Sequence, residues 1–147
     1  MADCISMKEL CSKIIKELND AVIFSDNKGI IRLWNSGAER MFGRAADEAV
    51  GQSLDIIIPE KLRQRHWDGY FGVMERGESR YNVELLSAPA LRSDGSRIST
   101  EFSMALVKGD DGKMLGVAAV IRDVTARWQR EKELKERIGE LEADRRA

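Results

Sequence analysis

The segment RISTEFSMALVKGDDGKMLGVAAVIRDVT, residues 97–125, decides the fold of this chain. Arg97 to Val107 and Met114 to Asp123 are runs of β-branched, apolar and small residues, and the turn-forming Gly109-Asp110-Asp111-Gly112 separates them. Two such runs around a Gly-rich turn read as an antiparallel hairpin. Asp110 and Asp111 are then solvated turn residues rather than metal ligands. Upstream, Ser93-Asp94-Gly95 is a second turn signal, and it joins a third strand-like run, Arg80 to Leu91, to the same meander.

Working outward toward the N-terminus, Gly77 closes a helix that Pro59 opens, proline being suited to the first helical position. Leu62, His66, Gly69, Tyr70 and Val73 fall on one stripe of that helix, which places His66 on its inward face. Before it come short helical pieces around Met41-Phe42-Gly43 and Asp47-Glu48, then Gly51 and the apolar run Leu54 to Ile58. Ala21 to Ser25 and Ile30 to Trp34 form another hairpin around Asp26-Asn27-Lys28-Gly29. The chain leads with a short amphipathic helix: Ser6-Met7-Lys8-Glu9 has the spacing of a capping box, and Leu10, Ile14, Ile15 and Leu18 follow at helical intervals. Cys4 and Cys11 lie too far apart along this helix to bridge within one chain, and are expected as small buried apolar residues.

Toward the C-terminus the composition shifts at Thr125 to long charged residues, with Glu131/Lys135 and Glu133/Arg137 in the favourable i,i+4 order. Val124, Leu134, Ile138 and Leu141 fit a heptad frame in which Arg127 and Glu131 also occupy seam positions. A weak parallel coiled coil and a solvated single helix both satisfy that pattern. The expected division is a flanking helix over residues 1–18, a domain over 19–125 and an exit helix over 126–147.

The 147 residues are 43% apolar, enough for one ordinary core. Twenty-four basic and 25 acidic residues are interleaved, giving a net charge of −1 and no electrostatic footprint for nucleic acid or an anionic membrane. No apolar run reaches the roughly 18 residues of a membrane span, and no secretory leader pattern opens the chain, so a soluble cytoplasmic protein is expected. There is no Gly-rich phosphate loop, no Cys/His zinc spacing and no nucleophile paired with His66 at recognisable spacing. No enzymatic activity is expected.

The order strand-strand, short helices, longer helix, three strands and exit helix resembles a PAS domain, an α+β fold with a five-stranded antiparallel sheet and short helices on one face. Asn35 with Ala38 and Phe42-Gly43, Glu48-Ala49-Val50-Gly51, Asp94-Gly95 and Arg122-Asp123-Val124-Thr125 are similar to family motifs in the same order, over roughly residues 8 to 128. From Pro59 to Gly95 the chain is most similar to haem-binding PAS domains of rhizobial oxygen sensors, aligning without a gap from Arg65-His66 to Asp94-Gly95.

That resemblance implies haem b with His66 as proximal iron ligand, Arg80 near a propionate, and Leu86, Phe102 and Met104 on the distal side. Tyr70, Leu62 and Ile121 are further candidates for the cofactor pocket. Gly69 and Gly72 reduce bulk along the helix, Arg65 is a second propionate partner, and Val117, Ala119 and Ile121 alternate along the last strand. The oxygen sensors carry arginine at the position of Leu86, so this chain lacks the donor that stabilises bound dioxygen. An apolar distal side still admits CO or NO, which makes O2 the weaker gas ligand here. Met104 is read either as a core methionine or as a sixth iron ligand that shifts redox behaviour.

Two functions are compatible with the residues. One is a haem-based sensor of a diatomic gas or of redox state, signalling through the exit helix, in a homodimer, to an effector domain or partner such as a histidine kinase or cyclase. The other is a cofactor-free interaction and dimerisation module, or a PAS domain holding another small metabolite, with His66 simply a half-buried helix residue and Trp67 packing beside it. A flavin–cysteine adduct is excluded because both cysteines belong to the leading helix; noncovalent flavin has no residue in its favour.

Overall fold

A computed structural model describes residues 4–78 and 85–146. Arg80 and the first part of the strand expected from it therefore lie outside the described residues. The chain runs α1 (Met7–Glu17), β1 (Ala21–Asp26), β2 (Ile31–Trp34), α2 (Ser36–Phe42), α3 (Ala46–Ala49), two 3₁₀ turns (Leu54–Ile57 and Glu60–Leu62), α4 (Arg63–Arg76), β3 (Leu86–Leu91), β4 (Arg97–Lys108), β5 (Met114–Asp123) and α5 (Thr125–Arg146). The strands form one sheet in the order β2-β1-β5-β4-β3, every neighbouring pair antiparallel. The expected meander and first hairpin are thus side by side, with β1 paired to β5.

Strand alternation sends Ile23, Phe102, Met104, Val117, Ala119 and Ile121 to one face, which the short helices and α4 cover. Ile23, Ile31 and Phe42 are the largest side chains that are fully buried there, and Trp34 stacks obliquely on Phe42 with ring centroids 5.4 Å apart. Asn35 joins three elements. Its Oδ1 accepts from the Val22 and Ala38 amides at 2.8 and 2.9 Å, while its amide nitrogen donates to the carbonyls of Ile15 and Asp20 at 2.8 and 3.0 Å. One buried carboxamide so caps α2, opens β1 and holds the end of α1.

The capping box of α1 is reciprocal: the Glu9 amide donates to Ser6 Oγ and the Ser6 amide to the Glu9 carboxylate. The helix has no buried residue, and Cys4 and Cys11 are exposed, contrary to the expectation that they pack inside. The reason is its attachment at the C-terminal end through Asn35, with only Ile15 half-buried and the rest of the apolar stripe uncovered.

The helix expected from Pro59 begins later. Pro59 leads a 3₁₀ turn, and α4 starts at Arg63, whose guanidinium donates to the carbonyls of Ile58 and Asp55, the latter also accepting from the Ile58 amide. Its C-cap is Gly77 at φ +67°, a left-handed position that glycine takes without a Cβ penalty. α5 is exposed along its length and contains no buried residue. Among the described residues no helix is long and apolar enough to cross a membrane.

Candidate functional site

Between the inner face of the sheet and the helical layer lies a cavity of about 200 Å³. Ile23, Phe102, Met104, Val117, Ala119 and Ile121 form its sheet wall, Ala88 to Ala90 its β3 edge, and Phe42, Leu54, Ile57 and Ile58 part of its roof. Leu62, His66 and Tyr70 close the remaining side. Among the described residues no Asp, Glu, Lys or Arg lines it.

The wall hydroxyls have their protons committed within the protein. Tyr70, buried on α4, donates to the Asp26 carbonyl at 2.5 Å and accepts from Ser25 Oγ at 2.9 Å. Burial pushes its phenol pKa up, opposed by the Ser25 hydrogen bond and reinforced by Asp26. Thr100 Oγ1 donates to the Ala88 carbonyl at 2.6 Å. His66 differs. Burial pulls its imidazole below the ordinary value, with the Asp55 carboxylate opposing, so the ring is neutral at pH 7. Its Nδ1 is buried without a hydrogen-bond partner, alone among the side-chain atoms of the described residues, and such an atom costs about 1–3 kcal/mol.

Trp67 fixes the helix that carries His66. Its indole N–H donates to Asp55 Oδ1 at 2.7 Å, and its ring lies over Gly29, where a Cβ would come within 2.2 Å of it. Gly29 also needs φ +80°, so only glycine serves this turn.

The cavity wall runs straight into the exit helix. Two residues beyond Ile121, the Asp123 carboxylate accepts from the Thr125 amide at 2.9 Å and caps α5. Thr125 Oγ1 accepts from the Ser99 amide at 3.0 Å, the Val124 amide donates to the Ser99 carbonyl at 2.8 Å, and Arg127 pairs with Glu101. Ser99 and Glu101 flank Thr100 and Phe102 of the wall on β4.

Against protein-family models, residues 19–126 match the PAS domain. The chain belongs to the PAS domain family. Among solved structures it is similar to the PAS domain of a protein from Colwellia psychrerythraea, with a TM-score of 0.72 at 21% identity over 82% of this chain and 99% of that one. An RNA-binding light-oxygen-voltage receptor gives 0.72 at 17% identity, over 95% of this chain and 41% of the receptor. A sensory box histidine kinase/response regulator from Burkholderia thailandensis gives 0.64 at 15%, over 92% and 99%. At these identities the structural likeness is one of fold. No curated protein matches the chain. These matches establish the PAS family and do not single out its haem-binding members.

Of the site residues expected from sequence, the PAS fold brings Leu62, His66, Tyr70, Phe102, Met104 and Ile121 to the one cavity, together with Val117 and Ala119. Leu86 is not part of the wall. It shares a face of β3 with Ala88 and Ala90 but stands one pleat beyond Ala88, opposite Phe102 at the margin of the cavity. Gly69 also departs from expectation: it is exposed, and a Cβ there would meet nothing within 4 Å, so it makes no room for a ligand. Arg65 is exposed, away from the cavity. Sequence analysis does not mark Phe42, Leu54 or Ser25, the hydrogen-bond partner of Tyr70, as wall residues; the inward strand parity of Ser25 with Ile23 is the available signal for the last.

A neutral, unpartnered imidazole suits an iron ligand, but the space does not suit the porphyrin. An apolar cavity of about 150 Å³ holds benzene, and sites for drug-sized molecules run from about 300 to 1,000 Å³. At about 200 Å³ the PAS cavity in this arrangement takes a single ring and not a tetrapyrrole.

Proposed function

We propose that this chain is a sensory PAS module in which occupancy of the cavity alters the junction between β4, β5 and α5, and that α5 carries the change to an effector. One observation carries this reading: Ile121 lines the cavity and Asp123, two residues on, caps the exit helix, whose other ties are to residues flanking the β4 wall. A ligand that packs differently against two arrangements of these strands biases the helix, which is all that a mechanical output requires. Histidine kinases are a reasonable class of effector, since a similar fold occurs in a sensory box histidine kinase. The uncovered apolar residues of α1 and α5, among them Ile14, Leu134 and Ile138, support assembly as a homodimer.

Filling the cavity from within tests the coupling. In Ala119→Leu, or in Ala88→Leu should the first variant not fold, hydrogen exchange at the Val124, Thr125 and Trp128 amides changes while that of α1 amides stays the same. Unaltered exchange at the junction in a folded, filled variant removes the sensory reading.

The neutral, unpartnered imidazole favours a second reading, haem b bound through His66 with CO or NO as gas ligand, which requires α4 to move off the sheet. Titration with haemin decides it. A Soret band lost in His66→Ala and kept in Met104→Ala supports iron ligation by the histidine; a chain that stays colourless eliminates it.

A further inference from the structure

The wall chemistry narrows what the cavity takes, resting on the reading above that it is a ligand site. With no charged side chain among the described residues of the wall, a carboxylate, phosphate or ammonium would enter without a counter-ion there and is disfavoured. The volume, about 200 Å³, is slightly above the ~150 Å³ that holds benzene. Each wall hydroxyl already donates its proton within the protein: Tyr70 to Asp26, Ser25 to Tyr70 and Thr100 to Ala88. The hydroxyls keep acceptor lone pairs, but among the described residues of the wall only His66 has a buried side-chain nitrogen without a partner, and a neutral imidazole is the stronger acceptor. We propose that the ligand is an uncharged single-ring molecule with one hydroxyl group, whose proton His66 accepts.

Toluene and phenol test this because they share a shape and differ in a methyl against a hydroxyl. Both bind the intact chain in calorimetric titration, and the ratio of phenol to toluene affinity is about tenfold lower in His66→Phe, the size of one ordinary hydrogen bond. His66→Gln, which keeps a hydrogen-bonding side chain, retains most of that ratio. The ring ¹⁵N resonances of His66 move with phenol and not with toluene. Ala119→Leu, which fills the cavity, abolishes binding of both. An equal ratio in wild type and His66→Phe overturns the hydroxyl contact while leaving a ligand cavity in place. Absence of binding by either probe to the folded chain overturns the size class, and binding that survives Ala119→Leu shows a different surface and overturns the assignment to this cavity. None of these outcomes depends on the exchange behaviour of α5, by which the sensory reading stands or falls separately.

Discussion

Phe42 on α2 and Ile138 on α5 are both large apolar side chains on helices, yet one is 1% exposed and the other 55%. The difference comes from what surrounds each in sequence. α2 is seven residues long, capped by Asn35 at one end and Gly43 at the other, and lies against β1 and Trp34. α5 is 22 residues of mostly charged side chains in which Leu134, Ile138 and Leu141 follow a seam that none of the described residues covers. The first region completes itself, and its side chains define a cavity; the second is left for another surface to complete. In the proposed reading, ligand and partner recognition are thus separated along the chain, with the β4 and β5 wall joining α5 at Val124 to Arg127.

Truncating the self-completed side tests that contrast most severely. Phe42→Ala removes a wall of the cavity and a fully buried ring, and is expected to cost about 3–5 kcal/mol in urea unfolding. A loss below about 1 kcal/mol would mean that the helical layer is far looser than its burial indicates. A smaller effect follows from pH. Because burial lowers the His66 pKa in the folded chain, the unfolded chain binds more protons as pH falls below about 6.5. His66 therefore withdraws stability on acidification through that window, and none above it. Comparing urea midpoints at pH 8 and pH 5.5, His66→Gln loses less stability than wild type; equal losses would place the imidazole in solvent.

The other side of the comparison predicts almost nothing for folding. Ile138→Ala in α5 shifts unfolding by no more than about 0.5 kcal/mol, as expected for an exposed position, while weakening self-association measured by sedimentation. A large stability loss at low protein concentration would show that α5 packs on its own domain.

The elements decided by local chemistry were legible in the sequence: the Ser6/Glu9 box, the Gly-containing hairpin turns, strand alternation and the onset of α5 at Thr125 all appear where their residues place them. Six of the expected site residues converge for the same reason, since strand parity and helical spacing set their faces. What stayed illegible depends on distance between elements rather than on period. Spacing puts Gly69 on a stripe with His66, but the tilt of α4 turns it to solvent. Likewise the heptad-like spacing of Cys4 and Cys11 says nothing of whether α1 has a surface to lie on. The volume of the cavity is the clearest case, because it is set by how Phe42, Leu54 and Phe102 meet across long stretches of chain.

Asn35 gives the architecture a lever. One planar amide takes the Val22 amide of β1, the Ala38 amide of α2 and the Ile15 carbonyl of α1, so a displacement of any one of these elements strains its bonds to the other two. α2 carries Phe42, so α1 is tied through Asn35 to a helix that roofs the cavity. The sheet wall of the cavity thus adjoins the exit helix, and its helical roof adjoins the leading one.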